Sequence, residues 1–221
     1  MNRLQAMTCT RHPVADTRDG FCAACLFEDA LAPEHQDIGS PQLTIQVPLG
    51  RTASTSVFLV KSDGPRFRLL RLKTWRRPAP PGFVAGFRAL QQQLESWAPE
   101  CLDRLVAVRI DKQGCPSVLS EFRLGMPILD RVRSGKLEPN DAIARLHQLA
   151  ATIRKGHARG LAHGSLVPGN IILDAQSGRA RLVDFGLTPL MNPNQDTLTL
   201  AADDLARIAA LTDQILRPSA V

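Results

Sequence analysis

Tyrosine is absent from this 221-residue sequence, and aromatic residues of all kinds make up only 5% of it. A hydrophobic core must therefore be built mainly from leucine, isoleucine, valine and alanine, which is feasible because apolar residues make up 44% of the chain. No apolar run approaches the roughly 18 residues that a membrane-spanning helix needs. The first residues also lack the apolar stretch of a secretory signal, so the sequence predicts a cytoplasmic protein without a membrane span.

Cysteine is scarce as well, with five residues in the chain. In a cytoplasmic protein they are expected to be metal ligands or buried thiols. Cys9 and His12 form a C-x2-H pair, and Cys22 and Cys25 form a C-x2-C pair. Such a set of nitrogen and sulfur ligands suits tetrahedral zinc, and it resembles Cys3His zinc ribbons and knuckles. A structural zinc module is predicted over residues 1–30, with a redox C-x2-C pair or chance pairing as alternatives.

The formal net charge is +6, from 27 basic and 21 acidic residues. Such an excess is usual for a solvated surface, and it also permits an anionic partner such as a phosphate or a nucleic acid. Arginine and lysine cluster between Arg66 and Arg77, which motivates a nucleic-acid-binding hypothesis. Residues 31–42 are mixed in character and contain Pro33 and Pro41, so they are predicted to be a linker.

Apolar and polar residues alternate in several short segments after the linker, which predicts strands. These strands are expected at 43–47, 56–60, 66–73, 104–110, 116–121, 171–174 and 180–183. Gly50 is expected to turn the chain after the first strand, and residues 62–65 (SDGP) are expected to form a hairpin turn.

Helical spacing of apolar residues appears in three longer segments. The first segment is 83–97 and the last is 198–216. The middle one is expected to begin at Asn140, as its N-cap, and to extend past Ile153. Five strands with one helix, followed by mostly helical sequence, predict a two-lobed α+β fold.

A compound motif in the C-terminal half resembles eukaryotic-type protein kinases. Residues 163–170 (HGSLVPGN) are similar to the catalytic loop H-R-D-L-x-x-x-N, and residues 183–186 (VDFG) contain the D-F-G motif at the matching distance. Upstream, residues 70–73 (LRLK) occupy the place of V-A-I-K, and residues 49–57 that of the Gly-rich loop. Order and spacing together make this resemblance specific.

Further matches extend the resemblance along most of the chain. Residues 120–123 (SEFR) fall at the hinge position, and Asp204 resembles the aspartate that opens a later helix of the family. The resemblance implies a kinase-like domain over 43–221, with an N-lobe at 43–121 and a truncated C-lobe at 122–221.

The same resemblance assigns roles to individual positions. The positions that would contact a nucleotide are Gly50, Val57, Arg71, Lys73 and Glu121. Lys73 and Ser165 occupy the two catalytic positions. Asn170 and Asp184 match the residues that hold the magnesium ions of Mg-ATP.

Four departures from the family pattern concern chemistry. Ser165 stands where the family has the aspartate that accepts the substrate proton, and a neutral serine is a very poor base at pH 7. Val167 replaces the lysine two residues later. Thr52 and Thr55 replace two glycines of the Gly-rich loop, where close approach of backbone amides to phosphates favours glycine.

Strand parity adds a steric argument. Side chains alternate faces along a strand, so Arg71 and Lys73 should point the same way. An arginine would then occupy the place where the family has a small alanine over the adenine ring. The resemblance also implies a partner glutamate for Lys73, but none of the candidate positions Leu90, Gln91 and Gln92 is acidic, and only Gln91 is expected to be able to hydrogen-bond Lys73.

Three functions follow as hypotheses. The first is a pseudokinase-like module that binds a protein partner, with enzymatic activity left open. The second is a divergent ATP-dependent kinase for Ser/Thr residues or small molecules. The third is a zinc-knuckle nucleic-acid binder. Only 20 residues separate Asp184 from Asp204, and no A-P-E motif intervenes, so the usual peptide-docking platform is expected to be missing.

Overall fold

A computed structural model describes residues 42–63, 68–97 and 100–217. The predicted zinc ligands Cys9, His12, Cys22 and Cys25 lie outside the described residues, as does all of the predicted linker except residue 42. The described chain is a mixed α+β structure, as the sequence predicts.

The strands are β1 (Gln42–Arg51), β2 (Thr55–Asp63), β3 (Arg68–Trp75), β4 (Leu105–Ile110), β5 (Pro116–Glu121), β6 (Gly125–Pro127), β7 (Ile171–Asp174) and β8 (Ala180–Leu182). The α-helices are α1 (Phe83–Trp97), α2 (Ile128–Arg133), α3 (Pro139–His157), α4 (Leu187–Met191) and α5 (Thr197–Leu216), and a 3-10 turn covers Pro168–Asn170. All predicted strands and long helices are present. The sequence did not predict β6, α2 or α4, because segments this short show no clear period.

The chain divides into two compact units, which are described separately. Over the described residues, the first contains 42–79 and 107–119, and the second contains 80–106 and 120–217. Helix α1, which the sequence assigned to the N-lobe, belongs to the second unit.

A five-stranded sheet with the order β1-β2-β3-β5-β4 dominates the first unit. β2 and β3 pair without interruption from Thr55 opposite Trp75 to Ser62 opposite Arg68. Ser62 and Asp63, which the sequence placed in a hairpin turn, still belong to β2, and residues 64–65 of the predicted turn lie outside the described residues. One face of the sheet carries the core, whose buried residues are Leu43, Phe58, Val60, Leu70, Leu72 and Leu119.

The prediction that Gly50 ends the first strand is wrong. β1 continues to Arg51, and Gly50 pairs with Val57. The chain reverses at the next residues, where the Thr52 N–H donates to the Thr55 carbonyl at 2.9 Å. The pairing shifts register between Pro48 and Gly50, so this glycine serves an irregular strand and not a turn, a use that is common in sheets.

Two long helices form the core of the second unit. The buried residues of α3 and α5 recur every three or four positions, as on amphipathic helices. Glu138 is the N-cap of α3 and Pro139 its first residue, so the prediction that Asn140 caps the helix is wrong. Proline fits the first helical position because no N–H is needed there. Over the described ranges, no helix is both long and apolar enough to cross a membrane.

A three-stranded sheet, β6-β7-β8, completes the second unit. The segment before β4 joins its edge through a parallel bridge between Leu102 and Leu182. The Arg181 guanidinium forms an ion pair with the Asp103 carboxylate, and both side chains are buried. Arg181 also donates to the carbonyls of Glu100 and Leu102, so its burial is compensated by several acceptors.

Candidate functional site

The sheet brings four of the predicted nucleotide-binding positions together. Gly50 pairs with Val57 and Val57 pairs with Lys73, so these three residues form one row across β1, β2 and β3. Arg71 lies two residues before Lys73 in β3, opposite Leu59. Because opposed residues in an antiparallel sheet project from the same face, all four predicted positions share one face.

Arg71 and Lys73 alternate with core residues, which confirms the predicted strand parity. Leu70 and Leu72 point into the core cluster, whereas Arg71 and Lys73 are half-buried on the other face. The Lys73 Nζ lies 5.0 Å from the centroid of the Trp75 ring, within cation–π range. The arginine therefore adds bulk and positive charge on the face that carries the lysine.

The loop between β1 and β2 uses its own backbone amides internally. The Thr52 hydroxyl accepts hydrogen bonds from the N–H groups of Ser54 at 3.3 Å and Thr55 at 3.0 Å. The Thr52 N–H donates to the Thr55 carbonyl. The guanidinium of Arg76 donates to the Ala53 carbonyl at 3.3 Å. Since phosphate-binding loops depend on free N–H groups, this loop does not fit a phosphate cradle.

In the second unit, a buried network holds the loop that resembles the catalytic loop. Asp204 is 1% exposed, and its carboxylate accepts from the N–H groups of His163 at 2.7 Å and Gly164 at 3.0 Å. His157 Nε2 lies 3.2 Å from the same carboxylate. Asp204 lies in the third turn of α5, which begins at Thr197, so the prediction that it opens the helix is wrong.

The His163 ring connects this loop to the segment that carries Asp184. Its Nδ1 accepts from the Ser165 N–H at 3.3 Å, so its Nε2 carries the proton that is donated to the Val183 carbonyl at 3.0 Å. The His163 ring therefore braces the backbone between the loop and residue 183. This network fixes the loop by its backbone and needs no particular side chain at position 165.

Ser165 is exposed and is held through its backbone. Its N–H donates to His163, and its carbonyl accepts from Asn170 Nδ2 at 2.9 Å. Val167, at the position of the family's lysine, has 44% of its surface exposed. Neither side chain supplies a base or a cation, so no proton-transfer step can be derived from them.

Asp184 is buried and is the only non-glycine residue with positive φ over the described residues, at 65°. The next residue, Phe185, makes edge-on contacts with the rings of His163 and Trp97. The Asn170 Nδ2 is engaged with the Ser165 carbonyl, and the Asp184 side chain is buried. Amide and carboxylate oxygens are groups that magnesium accepts, so these two residue types are compatible with the ion.

Two other predicted positions have different contacts. Gln91 Nε2 donates to the carbonyls of Leu105 at 3.0 Å and Val106 at 3.5 Å, which anchors α1 to β4. Glu121 donates its N–H to the Arg104 carbonyl, and its carboxylate pairs with Arg123 at the surface. Over the part of the chain that the structure describes, no three histidine, cysteine or acidic side chains lie close enough to hold a metal ion.

Comparison with known proteins gives partial matches. No protein-family model matches the chain. CBL-interacting serine/threonine-protein kinase 20 of Arabidopsis thaliana is 37% identical over 75 residues, 34% of this chain and 17% of the plant protein. Serine/threonine-protein kinase pkn2 of Myxococcus xanthus is 30% identical over 105 residues, 46% of this chain and 12% of the bacterial protein.

A longer match is to the probable cell division control protein 7 homolog 2 of Encephalitozoon cuniculi. It is 30% identical over 134 residues, 61% of this chain and 37% of that protein. The chain therefore spans well under half the length of these relatives. Together the matches support a kinase-like domain, in agreement with the motif order in the sequence.

Proposed function

We propose that this chain is a degenerate protein-kinase-like domain that acts as a binding or regulatory module for a protein partner. The observation that carries the proposal is Ser165. It stands at the position of the proton acceptor, it is exposed, and only its backbone is used. Hydrogen bonds to Asp204 and His163 hold the backbone of this loop in place. The loop lacks, however, the carboxylate that would accept a proton from a substrate hydroxyl.

The loop between β1 and β2 supports the same function. Its N–H groups at Thr52, Ser54 and Thr55 are bonded within the loop. Binding a phosphate would require breaking these bonds, and each is worth about 1 kcal/mol. Arg71 on the adjoining face further disfavours an adenine ring.

Thermal unfolding with and without Mg-ATP tests the proposal. Ligand at about 100 times its Kd would add about 2.7 kcal/mol of stability, a shift of roughly 5–10 °C for a chain of this size. We expect no shift at millimolar Mg-ATP and no phosphoryl transfer. A magnesium-dependent shift, lost in Asp184→Ala but kept in the surface control Asp203→Ala, together with transfer to a protein, would overturn it.

The second candidate is a divergent ATP-dependent kinase for Ser/Thr residues or small molecules. Retention of Lys73, Asn170 and Asp184 favours it, because these are the lysine and metal-binding positions of the family. It requires measurable transfer of labelled phosphate from ATP that falls in Lys73→Met. Ser165→Asp should raise that rate by supplying a proton acceptor. The binding-module proposal instead expects no phosphate transfer in either variant.

For residues 1–30 we propose a structural zinc site with Cys9, His12, Cys22 and Cys25 as ligands. The spacing of the two pairs supports this proposal. Metal analysis of the purified chain should find about one zinc per molecule, reduced by Cys22→Ser but not by Cys115→Ser. Equal zinc content in both variants would contradict it.

A further inference from the structure

A surface groove with a volume of about 450 Å³ runs between helices α3 and α5 of the second unit. The buried residues Ala150 and Ile208 line it, together with Leu205, Ala209 and Thr212 of α5. The Thr212 hydroxyl donates to the Ile208 carbonyl at 3.0 Å, so its polar group is already satisfied within the helix. The middle of the groove is therefore an apolar surface.

Helix α5 extends this apolar surface beyond the groove. Leu198, Leu205, Ala209 and Leu216 recur at spacings of seven, four and seven residues, which places them on one face of the helix. Leu198 is 80% exposed and Leu216 is 57% exposed. Residues that α5 buries in the core, such as Leu211, are on a different face. The helix thus carries a second apolar face, with two leucines in solvent.

The charged residues of the groove lie at different ends of it. His157 Nε2 is 3.2 Å from the Asp204 carboxylate, and the groove residues precede position 157 in α3 and follow position 204 in α5, so the helices run antiparallel. Arg154 therefore lies near this end, and Asp213, with His147, lies toward the other, about 9 Å along at 1.5 Å per residue. Arg154 and Asp213 are exposed, and among the described residues neither side chain has a hydrogen-bond or ion-pair partner.

We propose that this groove is the interface of a two-fold symmetric dimer of this chain. A two-fold axis through the middle of the groove brings Arg154 of each copy to Asp213 of the other and places the two apolar surfaces against each other. A partner of one charge sign would instead meet a like charge at one end. The charge pattern therefore fits a second copy of the chain better than an acidic or a basic protein. The dimer goes beyond the proposed binding function, because it needs neither a nucleotide nor a different protein.

Sedimentation velocity of the full chain tests for the dimer over about 1–200 µM, a range suited to an interface of modest area. At a pH of about 8, where an unperturbed imidazole is neutral, we expect the sedimentation coefficient to rise with concentration. Ala209→Glu, which places a carboxylate in the apolar middle, should keep the chain monomeric. Ala210→Glu, at the next and exposed position outside the groove, is the matched control, since glutamate favours a helix at both. A chain that stays monomeric throughout, or equal dimerisation of the two variants, would overturn the proposal.

Charge reversal tests the symmetry of the pairing. Arg154→Glu makes both ends of the groove acidic and Asp213→Arg makes both basic, so each variant alone should dimerise at least about tenfold more weakly. Mixed in equal amounts, the two variants should pair with each other at close to the original affinity, because every end then meets the opposite charge. Lys155→Glu and Asp203→Arg, at exposed positions of the same helices outside the groove, are the controls and should change the Kd by less than about twofold.

The mixture of the two charge variants is the decisive sample. Failure of the mixture to recover the dimer would refute the pairing of Arg154 with Asp213. Both positions are exposed, so each variant should keep the Tm of the original chain, and a recovered dimer itself shows that both are folded. None of these samples contains a nucleotide, so a monomeric result leaves the proposed binding function intact, and binding of Mg-ATP would not exclude the dimer.

Discussion

Two loops that resemble kinase motifs have kept different properties. The loop between β1 and β2 has the shape of a tight turn, but its N–H groups are bonded to its own Thr52 and Thr55. In the loop before β7, the Asp204 carboxylate accepts from the N–H groups of His163 and Gly164, and the His163 ring donates to the Val183 carbonyl. The first loop uses its amides in internal hydrogen bonds, whereas the second has a braced backbone with a serine at the position that the kinase motif gives to an aspartate.

The difference follows from burial. Asp204 and His163 are buried, so a substitution there strands hydrogen-bond donors and lowers the stability of the fold. Ser165 and Val167 are exposed, and a change at either position has little effect on folding. Fold stability therefore constrains Asp204 and His163 but hardly constrains residues 165 and 167.

The largest expected effect is at Asp204. Asp204→Ala removes the acceptor of two backbone N–H groups in the buried loop, and we expect a loss of about 3 kcal/mol in the free energy of unfolding. Chemical denaturation measures this loss. The neighbouring Asp203→Ala, at an exposed position of the same helix, is the matched control and should change stability by less than about 0.5 kcal/mol. Similar losses in both would refute a bracing role.

The buried ion pair beside β8 should have an effect of similar size. Arg181→Met leaves the Asp103 carboxylate buried without its partner, and we expect a loss of about 3 kcal/mol. The double variant with Asp103→Leu should recover much of it, since an apolar pair needs no solvation. Arg179→Ala, which breaks the exposed pair with Glu100, is the control and should have an effect of at most about 1 kcal/mol. Failure of the double variant to recover would contradict this account.

A smaller effect concerns pH. The Ser177 N–H and hydroxyl and the Gln176 N–H donate to Asp174 and hold its pKa below the usual value, although burial opposes the shift. Because the folded pKa is lower than the unfolded one, this stabilisation is present above pH of about 4 and is lost as pH falls through the folded pKa.

Asp174→Asn keeps an acceptor in the turn but cannot titrate there. In this variant, we expect the free energy of unfolding to fall by about 1 kcal/mol less on acidification below pH of about 4. Unfolding curves between pH 2 and 7 measure the change. Asp196→Asn, at the exposed N-cap of α5, shows how much a surface carboxylate contributes to the same decline. An unchanged acid profile in Asp174→Asn would contradict the assignment.

The smallest effect should be at the first loop. Thr52→Val removes the hydroxyl that accepts from Ser54 and Thr55, and we expect a loss of about 1 kcal/mol or less because the loop is exposed. Amide exchange at Ser54 and Thr55 should become faster. Ser54→Ala leaves the backbone donors in place and is the control. Unchanged exchange in Thr52→Val would show that these amides are protected in another way.

Sequence periodicity predicted the long elements well because each buries a regular face. Local details were less predictable: Gly50 lies within a strand and Asn140 within the first turn of a helix, although both residue types favour turns and caps. The contacts of Gln91 could not be predicted either, because its hydrogen bonds to the β4 carbonyls join residues in different elements.

The sequence by itself determined the order of the motifs, the serine at position 165 where the kinase motif has an aspartate, and the placement of Arg71 and Lys73 on the same face of β3. These properties depend only on residue identity and on the two-residue period of a strand. Only the tertiary structure decided which amides of the first loop are engaged, that Asp204 braces the second loop from within a helix, and that Gln91 donates to the carbonyls of β4. Those properties depend on contacts between distant segments, which no local pattern records.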